Sequence, residues 1–581
     1  MSKHARNRIK PGVINWRHLF AIALMGAVFA ALVLRAAYIQ VISPDRLRQQ
    51  GDLRSLRVTS TQMPRGEITD RNGEELAISV PVDAIFADPK VVLEKGGLAD
   101  KRRWQALAQV LGANEKELMN KISSDPTRRF VYLQRQVTPA MAHYVKELKI
   151  PGIGLRRESK RYYPTGEVDA HLIGFTSIDD HGLEGIERTY DDLLTGQPGK
   201  RRVRKDGLGR VVESLGTLQV AEKPKNIQLT IDQRVQSLAY RELKKAVDYF
   251  DATSGSVVVV DVHSGEVLAM ASVPSYNPNN RATLKPYELR NRAITDVFEP
   301  GSTCKPLAMV AALEAGIVKP GDKVDTNPGW MRLGGRLVSD EHDLGIIPLS
   351  TILQKSSNMG IAKLALSISK EQLLGTYTKF GFGSPTGIDL VGESDGIFHY
   401  DRPRWSDFEL ATLAFGYSIS VTPAQLARAY ATLGNDGLAN PLTIIKGMPH
   451  LPAEQIIKPK TAREVLHMME SVVAPGGTGV RAAVPGYRVA GKTGTARKAV
   501  AGGYGNQYVA SFAGVAPVSN PQLAVVVMIN EPQGDQYYGS QVAAPVFSSV
   551  MGGALSLLNV MPDAITPDMR VAAVDKEVPR G

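Results

Sequence analysis

Phe298-Glu-Pro-Gly-Ser-Thr-Cys-Lys-Pro306 is followed by an Ala/Leu/Met run, Leu307 to Ala315, which stops at Gly316. Pro300 and Gly301 break whatever precedes them, so the pattern predicts a helix with both ends marked. Ser302 falls at its start, and Lys305 lies one turn on, on the same face. A serine hydroxyl is a weak nucleophile until a base takes its proton. Lysine can be that base once burial or a neighbouring cation lowers its pKa. The helix start adds backbone N–H groups and partial positive charge, which suit a developing oxyanion. Pro306 removes one donor from the first turn, where several have no partner anyway. The tetrad alone is cheap: roughly two or three Ser-x-x-Lys matches are expected by accident in a chain this long. Ser367-Ile-Ser-Lys370 is such a match, inside the apolar run Ile361 to Leu374, and reads as helix surface.

At 581 residues the chain is too long for one core, so two or more domains are expected. Its composition, 43% hydrophobic and 22% charged, is that of a folded protein and excludes collagen-like or disordered classes. The formal charge of +11 is partly local: Lys3, Arg6, Arg8, Lys10 and Arg17 precede the first acidic residue, Asp45. The other basic residues are scattered and no nucleic-acid motif accompanies them, so no nucleic-acid partner is expected. An anionic membrane surface fits the N-terminal charge better. Cys304, the single cysteine, excludes an internal disulfide and a multi-cysteine metal site. Adjacent to Lys305, it points to a different side of the helix and reads as a small packed residue.

Leu19 to Leu34 is sixteen uncharged residues, about 24 Å as a helix. Continuation through Arg35 to Ile39 reaches the roughly 30 Å of a bilayer core if Arg35 snorkels to the interface. Trp16 and Tyr38 bracket the span, and the basic residues before it place the N-terminus in the cytoplasm. Ala-Val-Phe-Ala within the run also fits a signal-peptide cleavage site, but the apolar stretch continues past it, which favours a retained anchor. The expected layout is a tail over 1–18, an anchor over 19–42, a non-catalytic region over 43–224, a catalytic domain over 225–560 and a loose tail over 561–581. In the second region, Arg65 to Asp70 and Glu75 to Val80 read as strands around an Asn72-Gly73 turn. Trp104 to Leu111 and Ala140 to Leu148 read as amphipathic helices. Asp70 and Arg71 read as a turn and a structural ion pair, not an acid and base.

From Ile227 the pattern changes. Asp232 to Tyr249 reads as a helix, and Gly255 to Asp261 with Val267 to Ala271 as a hairpin. Tyr487 to Thr495, Val509 to Ala516 and Leu523 to Asn530 are three later strands. Between them lie helical runs at Leu349 to Lys355, Ile361 to Leu374 and Pro423 to Leu433. Two strands, then helices, then three strands predict an α+β domain with an antiparallel sheet.

Two short motifs follow Ser302 within this domain. Ser356-Ser357-Asn358 sits where one helical run gives way to another, so its hydroxyl and amide can point inward. Lys492-Thr493-Gly494-Thr495 ends a strand, where a cation and two hydroxyls can hold a carboxylate. Gly494 would let a substrate backbone approach. Ser275-Tyr276-Asn277, in a Pro/Asn-rich loop, shows how cheap Ser-x-Asn is alone. The ordered set, at spacings of roughly 50 and 135 residues, is far less so.

Ser302-x-x-Lys305, Ser356-x-Asn358 and Lys492-Thr-Gly494 resemble the active-site set of penicillin-binding proteins and serine β-lactamases. Arg65-Gly-x-x-x-Asp70-Arg71-x-Gly73, Arg161-Tyr-Tyr-Pro164, Gly182-Leu-Glu-Gly-Ile-Glu187 and the anchor extend this resemblance to class B penicillin-binding proteins along most of the chain. Ala490 to Lys498 and the short C-terminal tail are similar to the division-specific (septal) subgroup of Gram-negative bacteria. The resemblance implies an elongated β-rich pedestal and a transpeptidase domain whose five-stranded antiparallel sheet is flanked by helices. It implies peptidoglycan D,D-transpeptidation, with Ser302 attacking the penultimate D-Ala carbonyl of a stem peptide and Lys305 as its base. Ser356 and Lys492 would carry the proton, the backbone of Ser302 and Thr495 would form the oxyanion hole, and Asn358, Thr493, Gly494 and Thr495 would bind substrate. No metal and no organic cofactor is implied. The implied partners are stem peptides, β-lactams, the inner membrane, a septal glycosyltransferase and other division proteins, with the catalytic domain periplasmic. An elongation-specific transpeptidase shares these motifs. A β-lactamase would be compact and would need a water-activating glutamate; Glu371, Glu393 and Glu409 lack the Glu-x-x-x-Asn pattern. A β-lactam sensor would need a cytoplasmic signalling segment larger than the eighteen residues before the anchor.

Overall fold

The computed structural model describes residues 16–42, 44–61, 63–206, 211–448, 452–500 and 502–564. The final stretch expected as a loose tail lies mostly outside the described residues. The chain divides into two compact units, Met1–Met63 with Gly196–Lys223, and Pro64–Thr195 with Pro224–Gly581. In the first unit, residues Trp16–Gln40 form a 25-residue apolar helix with none of its most apolar window buried. At 1.5 Å per residue it spans about 37 Å, enough to cross a bilayer core. Leu56–Thr61, Gly199–Lys205 and Val211–Gln219 form a three-stranded antiparallel sheet in the same unit.

The second unit is built on an antiparallel sheet of β1 (Ser254–Asp261), β2 (Val267–Val273), β3 (Ala490–Val500), β4 (Gly503–Ala516) and β5 (Leu523–Asn530). Their order is β2-β1-β5-β4-β3, so the two strands of the early hairpin end up beside the three late ones, as expected. The run Val257 to Val260 is apolar without alternation because both sheet faces are covered. Val257 and Val259 pack with α1 (Gln233–Tyr249) and a C-terminal helix, Ala544–Leu557. Val258 and Val260 pack on the other face, with α2 (Lys305–Glu314), α3 (Leu349–Gln354), α4 (Asn358–Leu366), α5 (Pro423–Gly434) and α6 (Pro459–Val473). Each buried valine contributes roughly 1.5–3 kcal/mol. The sheet is thereby a rigid base for the side chains at its ends.

Residues Ile361 to Leu374, expected as one helix, are two. The first ends at Leu366 and the second runs Lys370–Lys379, with Ser369 capping it by accepting from Gln372 N. The hydroxyl at 369 competes with the helical backbone and is stronger as a cap than as an interior residue.

The pedestal part of this unit centres on a strand, Glu75–Ala87, longer than the sequence pattern implied. It pairs with Ile153–Tyr162 along ten positions and with Val131–Val137 from Asp83 onwards. Pro81 lies before that second pairing begins, so it is paired on one side only, with Ser159. The preceding strand is only Ile68–Thr69. Helices Lys101–Leu111 and Pro139–Glu147 occur close to their expected positions, around a fully buried Trp104 whose indole donates to Gly97 O at 2.7 Å.

Three of the quoted pedestal motifs meet at one buried carboxylate. Arg65 Nε donates to Glu187 Oε2 at 2.5 Å and Arg161 Nε to Glu187 Oε1 at 2.6 Å, all three side chains almost fully buried. Gly182 and Gly185 are needed because a Cβ at either would strike backbone, at 1.8 Å from Glu187 O and 2.5 Å from Leu172 O. The Asp70 turn joins pedestal to catalytic body: its carboxylate accepts from Asn72 N, Glu74 N and Gln233 N. The ion pair expected here is made by Arg71 with Glu266, 3.1 Å away, rather than within the turn.

Glu187→Ala would leave two guanidinium groups buried without their carboxylate. Breaking such a pair costs roughly 3–5 kcal/mol, so the urea midpoint should fall sharply. A loss under about 0.5 kcal/mol, the size of a neutral surface change, would show that the two arginines find water instead.

Candidate active site

Pro300 and Gly301 turn the chain into a short 3-10 segment, Gly301–Cys304, before α2 begins at Lys305. Ser302 thus sits one turn ahead of the α-helix proper, half-buried, while Thr303, Cys304 and Lys305 are buried. Tyr430 on α5 holds this turn by donating its hydroxyl to Thr303 O at 2.8 Å. Cys304 is fully buried, and burial pushes its thiol above the usual range, so it stays a neutral packed side chain.

Lys305 Nζ, 0% exposed as a residue, donates to Ser356 Oγ at 3.0 Å, to Asn358 Oδ1 at 2.8 Å and to Ser356 O. Ser356 Oγ donates in turn to Ser302 Oγ at 3.0 Å. The contact between Ser302 and Lys305 therefore runs through Ser356. Burial is the chief cause holding Lys305 well below the usual lysine range; Lys492 pushes the same way, and Asp340 opposes. Lys492, also 0% exposed, is pushed down to about 7 by burial. Two buried cations with few anions nearby can only persist if at least one sheds its proton.

Ser356 has a left-handed backbone, φ 58°, unusual for a residue with a side chain and costing roughly 1–3 kcal/mol. Its neighbours over-determine it. Ser357 caps α4 by accepting from Gly360 N at 2.9 Å. Asp340 accepts from Ser357 Oγ at 2.5 Å, Asn358 N at 2.5 Å and Met359 N at 3.0 Å. Asp340 thus fixes the loop that presents Ser356, and it is also the countercharge to Lys305. Sequence reasoning missed it: Asp340 sits in an acidic stretch, Asp340 to Asp343, that looks like a solvated turn.

β3 is an edge strand, and Lys492 to Thr495 lie on it beside the Ser302 turn. Lys492 Nζ lies 3.3 Å from Thr493 Oγ1, which donates to Thr478 Oγ1 at 3.2 Å. Thr478 is a second residue that sequence reasoning missed; the Gly476-Gly477 pair before it marks a tight turn without naming its purpose. Thr495 Oγ1 accepts from Gly539 N at 2.9 Å. Gly494 is also where the protein's own chain passes closely. A Cβ there would lie 2.3 Å from Ser511 Oγ and 2.9 Å from Pro300 O, so its bareness admits the nucleophile turn itself. Asn358 Oδ1 accepts from Lys305 Nζ at 2.8 Å, and its Nδ2 donates to Ser339 O at 3.1 Å. The two decoys stand apart: Ser367 Oγ donates to Lys363 O, and Ser275 Oγ to Glu167 O.

A serine linked through a second serine to a buried lysine, between a helix start and an edge strand, defines an acyl-transfer site of the penicillin-binding class. Residues 255–552 match the family described as penicillin binding protein transpeptidase domain, and residues 60–229 the penicillin-binding protein dimerisation domain. The chain belongs to the penicillin-binding protein transpeptidase family. It is 50% identical to the peptidoglycan D,D-transpeptidase FtsI of Escherichia coli, over 97% of this chain and 95% of that protein. It is 40% identical to the probable peptidoglycan D,D-transpeptidase PbpC of Pseudomonas aeruginosa, over 96% and 98%. A peptidoglycan synthetase structure from Bifidobacterium adolescentis superposes with TM-score 0.70 at 28% identity, covering 88% and 98% of the two chains.

Two outcomes follow. Asp340→Ala should slow acylation of Ser302 by penicillin about ten- to a hundred-fold, the worth of charge-assisted hydrogen bonds at roughly 1.5–3 kcal/mol; unchanged acylation would remove Asp340 from the site. Lys492 has a folded pKa of about 7 against 10.5 for the free side chain. Between those values the unfolded chain binds a proton that the folded one does not, so this group makes stability rise with pH across the window. Urea midpoints should climb from about pH 7 to 10, and Lys492→Met should flatten that slope; an identical slope in the variant would place the charge elsewhere.

Proposed function

We propose that this chain is the serine-type D-Ala-D-Ala transpeptidase that cross-links stem peptides during cell division, through an acyl-enzyme at Ser302. The observation that carries the reading is the hydrogen-bonded chain Ser302–Ser356–Lys305, with Lys305 buried and driven toward its neutral form. With the two hydroxyls rotated so that Ser302 donates to Ser356 and Ser356 to the lone pair of neutral Lys305, Ser302 passes its proton to Ser356 as Ser356 passes its own to Lys305. Ser302 Oγ then forms an ester with the penultimate D-Ala carbonyl, and the amide C–N bond breaks. The departing terminal D-Ala takes its proton from Ser356, with Lys492 resupplying the relay. Thr493 and Thr495 line the edge strand for the substrate's terminal carboxylate, and the N–H groups of Ser302 and Thr495 receive the oxyanion. An acceptor amine from a neighbouring stem peptide then attacks the ester carbonyl, forms the cross-link and returns Ser302 to its hydroxyl. β-Lactams enter by the same attack, with ring opening in place of D-Ala loss.

The apolar N-terminal helix serves as a single-pass inner-membrane anchor. Five basic residues before it favour a cytoplasmic N-terminus and a periplasmic catalytic domain. The pedestal would face a septal glycosyltransferase and other division proteins. The division role is supported by the likeness to FtsI proteins over nearly the whole chain.

Ser302→Ala should abolish covalent labelling by a fluorescent penicillin, whereas Ser367→Ala should label normally; the reverse result would misplace the nucleophile. In the unsubstituted protein the penicilloyl adduct should persist for hours by intact mass. Its loss within seconds, with penicilloate accumulating, would make the enzyme a hydrolase.

A further inference from the structure

A cavity of about 520 Å³ lies between pedestal strands Val131–Val137 and Ile153–Tyr162 and the loop 278–284 of the catalytic body. None of the residues around Ser302 described above lines it. Its walls carry three cations, Lys160, Arg161 and Arg281, and no carboxylate among the described residues. Lys160 and Arg281 have no ion-pair partner among those residues; Arg281 instead lies over the Phe175 ring, 4.3 Å from its centroid. Arg161 is 5% exposed. Its Nε serves Glu187 and its Nη1 reaches Ser79 Oγ at 3.1 Å, while its Nη2 is buried with no hydrogen-bond partner. Buried guanidinium donors are rarely left unused, but this one has no open face, so Arg161 adds positive charge to the cavity wall and not a free donor.

A second observation concerns Gln136, which lines the same cavity. Gln134 pairs with Ile85 and Val137 with Asp83, so two residues of one strand face one of the other. Gln136 lies in this bulge with φ 54°. Bulges re-aim side chains, and strained residues of this kind concentrate at functional sites. The result is a set of cations, the amides of Gln136 and Asn280, and an apolar wall at Phe175. A bare phosphate would use only the cations. A short acidic peptide would use all three, and the volume falls in the range of small-ligand sites.

The geometry points to a second binding site at the pedestal–body junction, one that takes the carboxylate-bearing stem peptide of a wall strand separately from the acylation site. It rests on the reading that the chain works on peptidoglycan. Because both the pedestal and the 278–284 loop contribute walls, an occupant would tie the two together.

The test uses the full-length protein in detergent with Ser302 already acylated by penicillin, so that the first site is filled. The probe is an acetylated wall-type tripeptide carrying D-glutamate and free carboxylates, titrated calorimetrically. Saturable binding is expected, weakened at least about tenfold in Lys160→Ala/Arg281→Ala and by raised salt, and lost when the carboxylates are amidated. Arg161 is left intact because it also holds Glu187. Unchanged affinity in the double variant, or equal binding of the amidated peptide, would overturn the site. Inorganic phosphate competing as well as the peptide, or an all-L acidic peptide binding as tightly, would overturn the wall-peptide assignment. Penicillin labelling of Ser302 in the double variant should match the unsubstituted protein, which reports an intact fold; failure of labelling in the unsubstituted protein would instead count against the transpeptidase reading.

Discussion

Two lysines buried without full countercharge are the constraint around which the catalytic body is arranged. Lys305 and Lys492 approach from different elements, a helix start and an edge strand, and each lowers its own proton affinity by being dry. Burial on this scale needs rigid walls, and the sheet supplies them because both of its faces are covered by helices. The glycines around the site follow from the same closeness. Gly494 admits Pro300, and Gly416 admits Gly301, since a Cβ on Gly416 would lie 2.1 Å from Gly301 O.

The cost of this arrangement is offset by hydrogen bonds within the protein. Lys305 Nζ is within hydrogen-bond reach of Ser356 Oγ, Ser356 O and Asn358 Oδ1; as the free amine it donates to two of them and keeps its lone pair for a hydroxyl proton. Asp340 then holds the strained Ser356 loop through three donors of its own. The pedestal repeats the logic with opposite polarity: two arginines converge on Glu187, and the glycines at 182 and 185 let the backbone pass. Stability and reactivity are thus set by a few buried charges whose partners come from distant parts of the chain.

Much of this was legible in the sequence where local chemistry speaks. Pro300-Gly301 ahead of an Ala/Leu/Met run marks the Ser302 helix, and the four-valine run marks a strand, although that both of its faces are covered emerges only from the packing. That five strands share one antiparallel sheet followed from the hairpin and the three late runs; that the last strand, β5, lies against β1 did not. Partners distant in sequence were not legible. Asp340 looks like part of a solvated acidic turn until α4 is folded against it, and Thr478 has no pattern of its own. Arg71 could be read as half of an ion pair, but its partner, Glu266, is 195 positions away. Gly494 was legible as a close approach; which backbone approaches it depends on the packing of the 300–303 turn.

The neutral state of Lys305 is the claim on which the chemistry turns, and the rate of Ser302 acylation by penicillin between pH 5 and 11 measures it most directly. Acylation needs the free amine, so the acid limb of the profile reports that lysine's pKa in the free enzyme. An acid limb well below the ordinary lysine value of about 10.4 is expected. A limb at about 10.4, with acylation slow at neutral pH, would contradict a buried, deprotonated Lys305.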